Sequence, residues 1–344
     1  MSQRMKTIFL HIGNFKTGTS AIQKYCHDAR RELLQNGYDY IEAARPKSNP
    51  TNHGKLALSL LSEYETYIPA WYDETDAFEQ VSAEVSRAIN NSPVDNIIIS
   101  SEEFYRIPSH NAASVECMQK ALRNLFEGHH VKVVMYVRKP LDMLKSWYNQ
   151  ANKSNLPLRR FTDFFYYLNS SILLPQSNAH FWRECFGSKC LIIEPYCLSG
   201  DEHIQRFIEL INPDTPMEVR SSQALVNQKR NEETLELDRI CRIMLLKDKV
   251  EREVFLRNFV FENSANLKLL RKKIFYVNNM FDKFCTDEGL LFADASFNLT
   301  DLLVHEERVN RKDVVSTSTS RYRLAQIRNS QLTRFMKKIR SFYH

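Results

Sequence analysis

The chain has 344 residues, 43% of them hydrophobic, with a formal net charge of +6 and a sequence pI near 8.8. That supplies a sizeable core, and eight glycines and eleven prolines are too few for a collagen-like or largely disordered chain. The mild basicity suits an anionic ligand or an acidic acceptor and does not by itself indicate nucleic acid.

Residues 7–12 read as a buried strand and 19–35 as a helix ending near Gly37. Between them lies Gly13-Asn14-Phe15-Lys16-Thr17-Gly18, followed by Thr19 and Ser20. A strand, a turn with two glycines and a hydroxyl-rich helix start can build an anion cradle from backbone N–H groups and a helix N-terminus. Gly13 and Gly18 keep the spacing of the triphosphate loop G-x-x-x-x-G-K-[ST]. Thr19, however, stands where that loop has its lysine, and the lysine is at position 16. The loop is suited to a phosphate-like anion but is not built like an ATP or GTP loop.

Residues 44–54 read as a loop, followed by helices over about 55–65 and 75–90. Asn96-Ile97-Ile98-Ile99-Ser100 is a continuous apolar run, typical of a parallel strand buried on both faces, and it leads into Ser101-Glu102-Glu103-Phe104. A helix over 111–127 precedes a strand over 131–137. That strand ends in Arg138-Lys139-Pro140, and Pro140 suits the first turn of a helix over 140–152. The aromatic run Phe161 to Tyr167 follows. Leu191-Ile192-Ile193 makes a fourth strand, and 201–211 a helix. Strands alternating with helices predict an α/β fold with a central, mostly parallel sheet flanked by helices. From about residue 230 the pattern is helical, clearest over 232–247 and 265–283. Residues 316–320 read as a linker, and 321–344 carry seven Lys/Arg and no Asp or Glu.

Seven scattered cysteines without a C-x-x-C pair read as reduced thiols. With no signal peptide and no run of 18 predominantly apolar residues, the sequence reads as cytoplasmic.

An arginine at the carboxyl end of a parallel strand sits where open α/β sheets bind ligands. The next helix can offer Ser146 to the same anion, so Arg138 and Ser146 make a second anion site beside the 13–20 loop. Together, Lys16-Thr17-Gly18-Thr19-Ser20 and Arg138 with Ser146 eight residues later resemble the donor-binding signature of sulfotransferases that use 3′-phosphoadenosine-5′-phosphosulfate (PAPS). The opening His11-Ile12-Gly13…Gln23 is most similar to bacterial-type carbohydrate sulfotransferases. The resemblance covers about residues 6–212, with Asn227 and the helix after it. It implies a P-loop-like three-layer core over residues 1–225, a helical extension over 226–315 and a basic tail over 316–344.

The resemblance also implies roles. Lys16, Thr17, Gly18, Thr19 and Ser20 would hold the 5′-phosphosulfate, with Lys16 near the bridging oxygen, and Arg138 and Ser146 would hold the 3′-phosphate. No metal is needed. The general base would be Glu102, with Glu103 or His53 as alternatives. The acceptor would be a hydroxyl or amine of a carbohydrate or glycolipid. The tail over 321–344 fits a peripheral membrane-surface helix, a grip on an anionic glycan, or a solvated terminal helix. The rival readings are a nucleotide-dependent kinase, which predicts a lysine at position 19, and a nucleotide-binding module without catalysis.

Overall fold

Five runs rich in Ile, Val, Phe and Tyr form one sheet. The computed structural model describes residues 4–64, 68–69, 72–109, 112–151, 160–198, 200–212, 219, 264–293 and 295–302. Strands β1 (Thr7–His11), β2 (Tyr38–Tyr40), β3 (Asn96–Ser100), β4 (His130–Val137) and β5 (Leu191–Pro195) lie in the order β2-β3-β1-β4-β5, every neighbouring pair parallel. The helices are α1 (Thr19–Asp28), α2 (Arg30–Gln35), α3 (Gly54–Ser62), α4 (Phe78–Asn91), α5 (Ala112–Leu125), α6 (Pro140–Ala151), α7 (Phe161–Tyr167), α8 (Gln176–Phe186), α9 (Asp201–Ile211) and α10 (Ser264–Asp287).

Side chains alternate across a strand, and both sets are buried here. On one face Phe9, Tyr38, Tyr40, Ile98, Val134 and Tyr136 pack with Ile22, Tyr25 and Cys26 of α1, Leu33 of α2, and Ile204, Phe207, Ile208 and Ile211 of α9. The alternate set, Ile8, Leu10, Ile97, Ile99, Val133 and Met135, is fully buried. That leaves the opposite layer to the packed pairs α3–α4 and α5–α8. The result is the P-loop-like, three-layer α/β arrangement expected from the sequence.

Three local differences from that expectation have physical causes. The sheet has a fifth strand, β2, of three residues; its Asp39 breaks the apolar run but is buried and paired with Arg30 at 3.2 Å. The single helix expected over 19–35 is two, separated at Ala29. At the break the Arg30 Nε donates to the Tyr40 carbonyl at 3.0 Å, which ties the second helix to the edge strand. Helix α8 carries Asn178, Ala179, Phe181, Trp182 and Cys185 on its buried side, a mixed pattern that hides its period. Among the described residues no helix is long and apolar enough to cross a membrane.

The chain forms two compact units. The first takes in the described residues up to 139, 174–212 and 283–293, and holds the whole sheet. The described part of the second comprises 140–151, 160–173, 264–282 and 295–302. The predicted helix over 232–247, Asn227, the 316–320 linker and the 321–344 tail lie outside the described residues.

In the second unit the aromatic run forms α7, with Phe161 and Phe165 buried and Tyr167 exposed. Tyr148 meets Phe161 and Phe164 edge-on at 5.3 and 5.5 Å, and Phe165 meets Phe297 at 5.6 Å. The Lys273 ammonium donates to the carbonyls of Phe165 (2.7 Å), Tyr166 (3.0 Å) and Leu168, satisfying acceptors that a helix C-terminus leaves open. Replacing Lys273 by Ala should lower stability by about 1.5–3 kcal/mol, the scale of hydrogen bonds to a charged group. Urea unfolding checks this, and a loss under about 0.5 kcal/mol would contradict the capping role.

Candidate functional site

Strand β1 is central, and the chain leaves it toward β2 on one side while β4 leads to β5 on the other. The crevice outside the carboxyl ends of such strands is the topological switch point where open α/β sheets bind ligands. The 13–18 loop leaves β1 at this edge. Ile12 still donates to the Val134 carbonyl at 3.1 Å, and the backbone then turns left-handed at Gly13 (φ 35°), Lys16 (φ 68°) and Gly18 (φ 74°). A Cβ on Gly13 would lie 2.4 Å from Thr19 Oγ1. One on Gly18 would lie 2.7 Å from the His203 ring. Both positions therefore need glycine for conformation and for space. Gly18 is also the N-cap of α1; among the described residues no side chain caps the helix, and while the Ala21 N–H donates to the Gly18 carbonyl at 2.9 Å, those of Thr19 and Ser20 have no intrahelical acceptor.

Side chains from distant parts of the first unit hold the loop. Thr17 bonds back to the Asn14 carbonyl through its hydroxyl (2.5 Å) and its N–H (3.3 Å). Arg138, at the end of β4, donates to the Lys16 carbonyl at 2.5 Å while its guanidinium lies over the Tyr196 ring, 5.2 Å from its centroid. His203 of α9 packs edge-on between Tyr136 (4.6 Å) and Tyr196 (5.0 Å) and against Gly18. Asn14 Oδ1, Thr19 Oγ1, His11 Nε2 and His203 Nε2 are buried with no hydrogen-bond partner among the described residues. Such groups cost roughly 1–3 kcal/mol each when left unmet.

The next strand supplies a carboxylate at the same edge. Ser101 continues the pairing by donating to the His11 carbonyl at 3.0 Å, and a 3-10 helix opens at Glu102. Glu102 is half-buried, and its Oε2 accepts a hydrogen bond from Gln23 Nε2 at 3.0 Å. Glu103 is buried and ion-paired with Arg106 at 3.1 Å. His53 cannot serve as a base. It is fully buried, its Nε2–H donates to the Ile41 carbonyl at 2.9 Å, and its Nδ1 accepts from the Ser100 N–H at 3.0 Å. Both ring nitrogens are committed to backbone.

The structure thus gathers Lys16, Thr17, Gly18, Thr19, Ser20, Glu102 and Arg138 at the carboxyl edge of one sheet. Ser146 is half-buried on α6, in the second unit. Tyr136, Tyr196 and His203 escape a reading of the sequence because tertiary packing alone brings them to the loop. The one available signal is a histidine on the apolar stripe of α9, beside Ile204, Phe207 and Ile208. A surface cavity of about 390 Å3 lies at the opposite edge, lined by Thr7, His130 and Lys132 among others, and touches none of these residues.

No family model matches the chain, and no curated protein does. Among solved structures the chain is similar to a sulfotransferase from Alicyclobacillus acidocaldarius, with 10% identity, 77% of this chain and 99% of that chain covered, and a TM-score of 0.40. A likeness that distant carries no argument about the reaction.

Burial holds three imidazoles of the first unit neutral. It pulls His11 to about 3, helped by the neighbouring His203; His53 to about 3, helped by Arg45; and His203 to about 4, where the polar Thr17 backbone opposes the shift. In the unfolded chain they protonate near 6.5. Between pH 6.5 and about 4 the unfolded state therefore binds protons that the folded state refuses, and stability falls as pH falls, by up to about 1.4 kcal/mol per pH unit for each histidine. Urea unfolding between pH 7.5 and 5 should show that slope, and His53→Gln should flatten it by about one proton. An unchanged slope in the variant would contradict the assignment.

Proposed function

We propose that this chain transfers a sulfuryl group from PAPS to a hydroxyl or amine of a carbohydrate or glycolipid acceptor. The observation that carries the reading is the uncapped, left-handed loop 13–20 standing beside Arg138 and a half-buried carboxylate at one sheet edge. The residues fit such a donor. Two glycines keep the loop clear of Cβ atoms, and Thr19 Oγ1 is a buried hydroxyl still able to donate. The donor supplies an activated sulfuryl group whose leaving atom is a phosphate oxygen. The acceptor class rests on the resemblance of the opening motif.

In this reading the N–H groups of Gly18, Thr19 and Ser20 and the hydroxyls of Thr19 and Ser20 hold the 5′-phosphate, while Thr17, whose N–H and hydroxyl close on the Asn14 carbonyl, shapes the loop around it. Lys16 offsets the charge that develops on the leaving oxygen, the electrostatic term that dominates such transfers. Arg138 holds the 3′-phosphate and also braces the loop through the Lys16 carbonyl. Glu102 takes the acceptor's proton as the acceptor-to-sulfur bond forms and the sulfur-to-phosphate bond breaks. The partners separate the two neighbouring carboxylates. Glu103 is committed to the Arg106 guanidinium, whereas Glu102 meets a neutral amide. The kinase alternative lacks its lysine, since position 19 is threonine.

Adenosine 3′,5′-bisphosphate at about 100 times its dissociation constant should stabilise the protein by roughly 2.7 kcal/mol, a melting shift of a few degrees, where ATP with magnesium does little. Glu102→Gln should keep that shift and lose about 10²- to 10⁴-fold in transfer rate. Stabilisation only by ATP with magnesium would replace this reading with the kinase. A bisphosphate shift with no transfer by the wild-type protein would leave a binding module.

A further inference from the structure

Gln23 sits four residues after Thr19 on α1, and so on the same side of the helix that begins at the anion loop. Its side chain is 1% exposed. Burying a long polar side chain sacrifices rotamer freedom and hydration, which a hydrogen bond must offset. The bond it makes is Nε2–H to Glu102 Oε2 at 3.0 Å, reaching 79 residues along the chain from α1 to the 3-10 helix after β3. Among the described residues no other side chain donates to this carboxylate. The amide holds Oε2, so the orientation it imposes also fixes where Oε1 points, and Oε1 is the oxygen with no side-chain donor among the described residues. The adjacent Glu103 meets the Arg106 guanidinium instead. A neutral amide fixes a carboxylate's orientation without the full anion stabilisation that a cation brings.

We infer that Gln23 is the positioning residue that sets Glu102 Oε1 at a fixed place relative to the anion loop, so that cradle and base move as one body on α1. The inference rests on the proposed sulfuryl-transfer reading. It deepens that reading by making the helix that carries the cradle also the element that aims the base. A misplacement of about 1 Å in a reacting group can cost 10²-fold, so the expected effect lies in turnover rather than in donor binding.

The test is a double-mutant cycle on the full chain with PAPS and a saccharide acceptor that the wild-type protein sulfates. Gln23→Met keeps the length and removes the donor. It should lower kcat about 10- to 100-fold while bisphosphate affinity by calorimetry stays within about two-fold. In a Glu102→Gln background the same change should lower kcat no further, because the oxygen it aims is no longer a base. Gln23→Glu, which puts an acceptor where the donor stood, should lose at least as much turnover and serves if the methionine variant folds poorly. An unchanged kcat, a parallel loss of bisphosphate affinity, or an equal drop in both backgrounds would overturn the positioning role and leave the sulfuryl-transfer reading standing. A wild-type chain that neither binds the bisphosphate nor transfers sulfuryl groups would overturn the reading itself, and the inference with it.

Discussion

The left-handed turn between Gly13 and Gly18 is the constraint on which the rest of the site depends. Three positive φ angles in six residues are costly for an L-chain, the more so at Lys16, which carries a Cβ. The turn persists because other elements over-determine it. Arg138 holds the Lys16 carbonyl, Thr17 closes on Asn14, and His203 fills the space that a Cβ on Gly18 would need. Two of these braces come from other elements, the end of β4 and α9, so the loop's shape depends on the packing of the first unit and not on the loop alone. That shape leaves the first N–H groups of α1 uncapped, and an uncapped helix start at a switch point is an electrostatic invitation to an anion.

Behind the loop, neutral imidazoles do the work that apolar residues do elsewhere in the sheet. His11 Nδ1 meets Ser100 Oγ at 2.9 Å, and the Ser100 N–H donates to His53, whose ring lies edge-on to Tyr40 at 4.6 Å. This chain runs from β1 through β3 to the 41–54 segment and fixes the end of β3, from which Glu102 projects. A charged histidine anywhere in it would be unpaired in an apolar surround, so burial keeps the rings neutral. The same neutrality that makes them good supports removes His53 from acid–base chemistry.

Much of this was legible in the sequence, for identifiable reasons. The parallel sheet shows itself in Ile97-Ile98-Ile99 and Val133-Val134 because strands covered on both faces carry no polar alternation. The loop shows itself because glycine is required where φ is positive and a Cβ would clash. Arg138 and Glu102 follow from their places just past apolar runs. Strand β2 was hidden because its middle residue is an aspartate neutralised by Arg30, a pairing nine residues apart that no strand pattern encodes. His203, Tyr196 and Tyr136 were hidden because what they do depends on which helix crosses which strand. Gln23 was visible as a residue, but its bond to Glu102 exists only in three dimensions.

The most direct measurement is a crystal structure of the protein grown with adenosine 3′,5′-bisphosphate. The account predicts the 5′-phosphate against the N–H groups of residues 18–20 and the 3′-phosphate on the Arg138 side, with the Gln23–Glu102 hydrogen bond intact. A bisphosphate bound elsewhere, with the 13–20 loop closed on itself or carrying no anion, would contradict it.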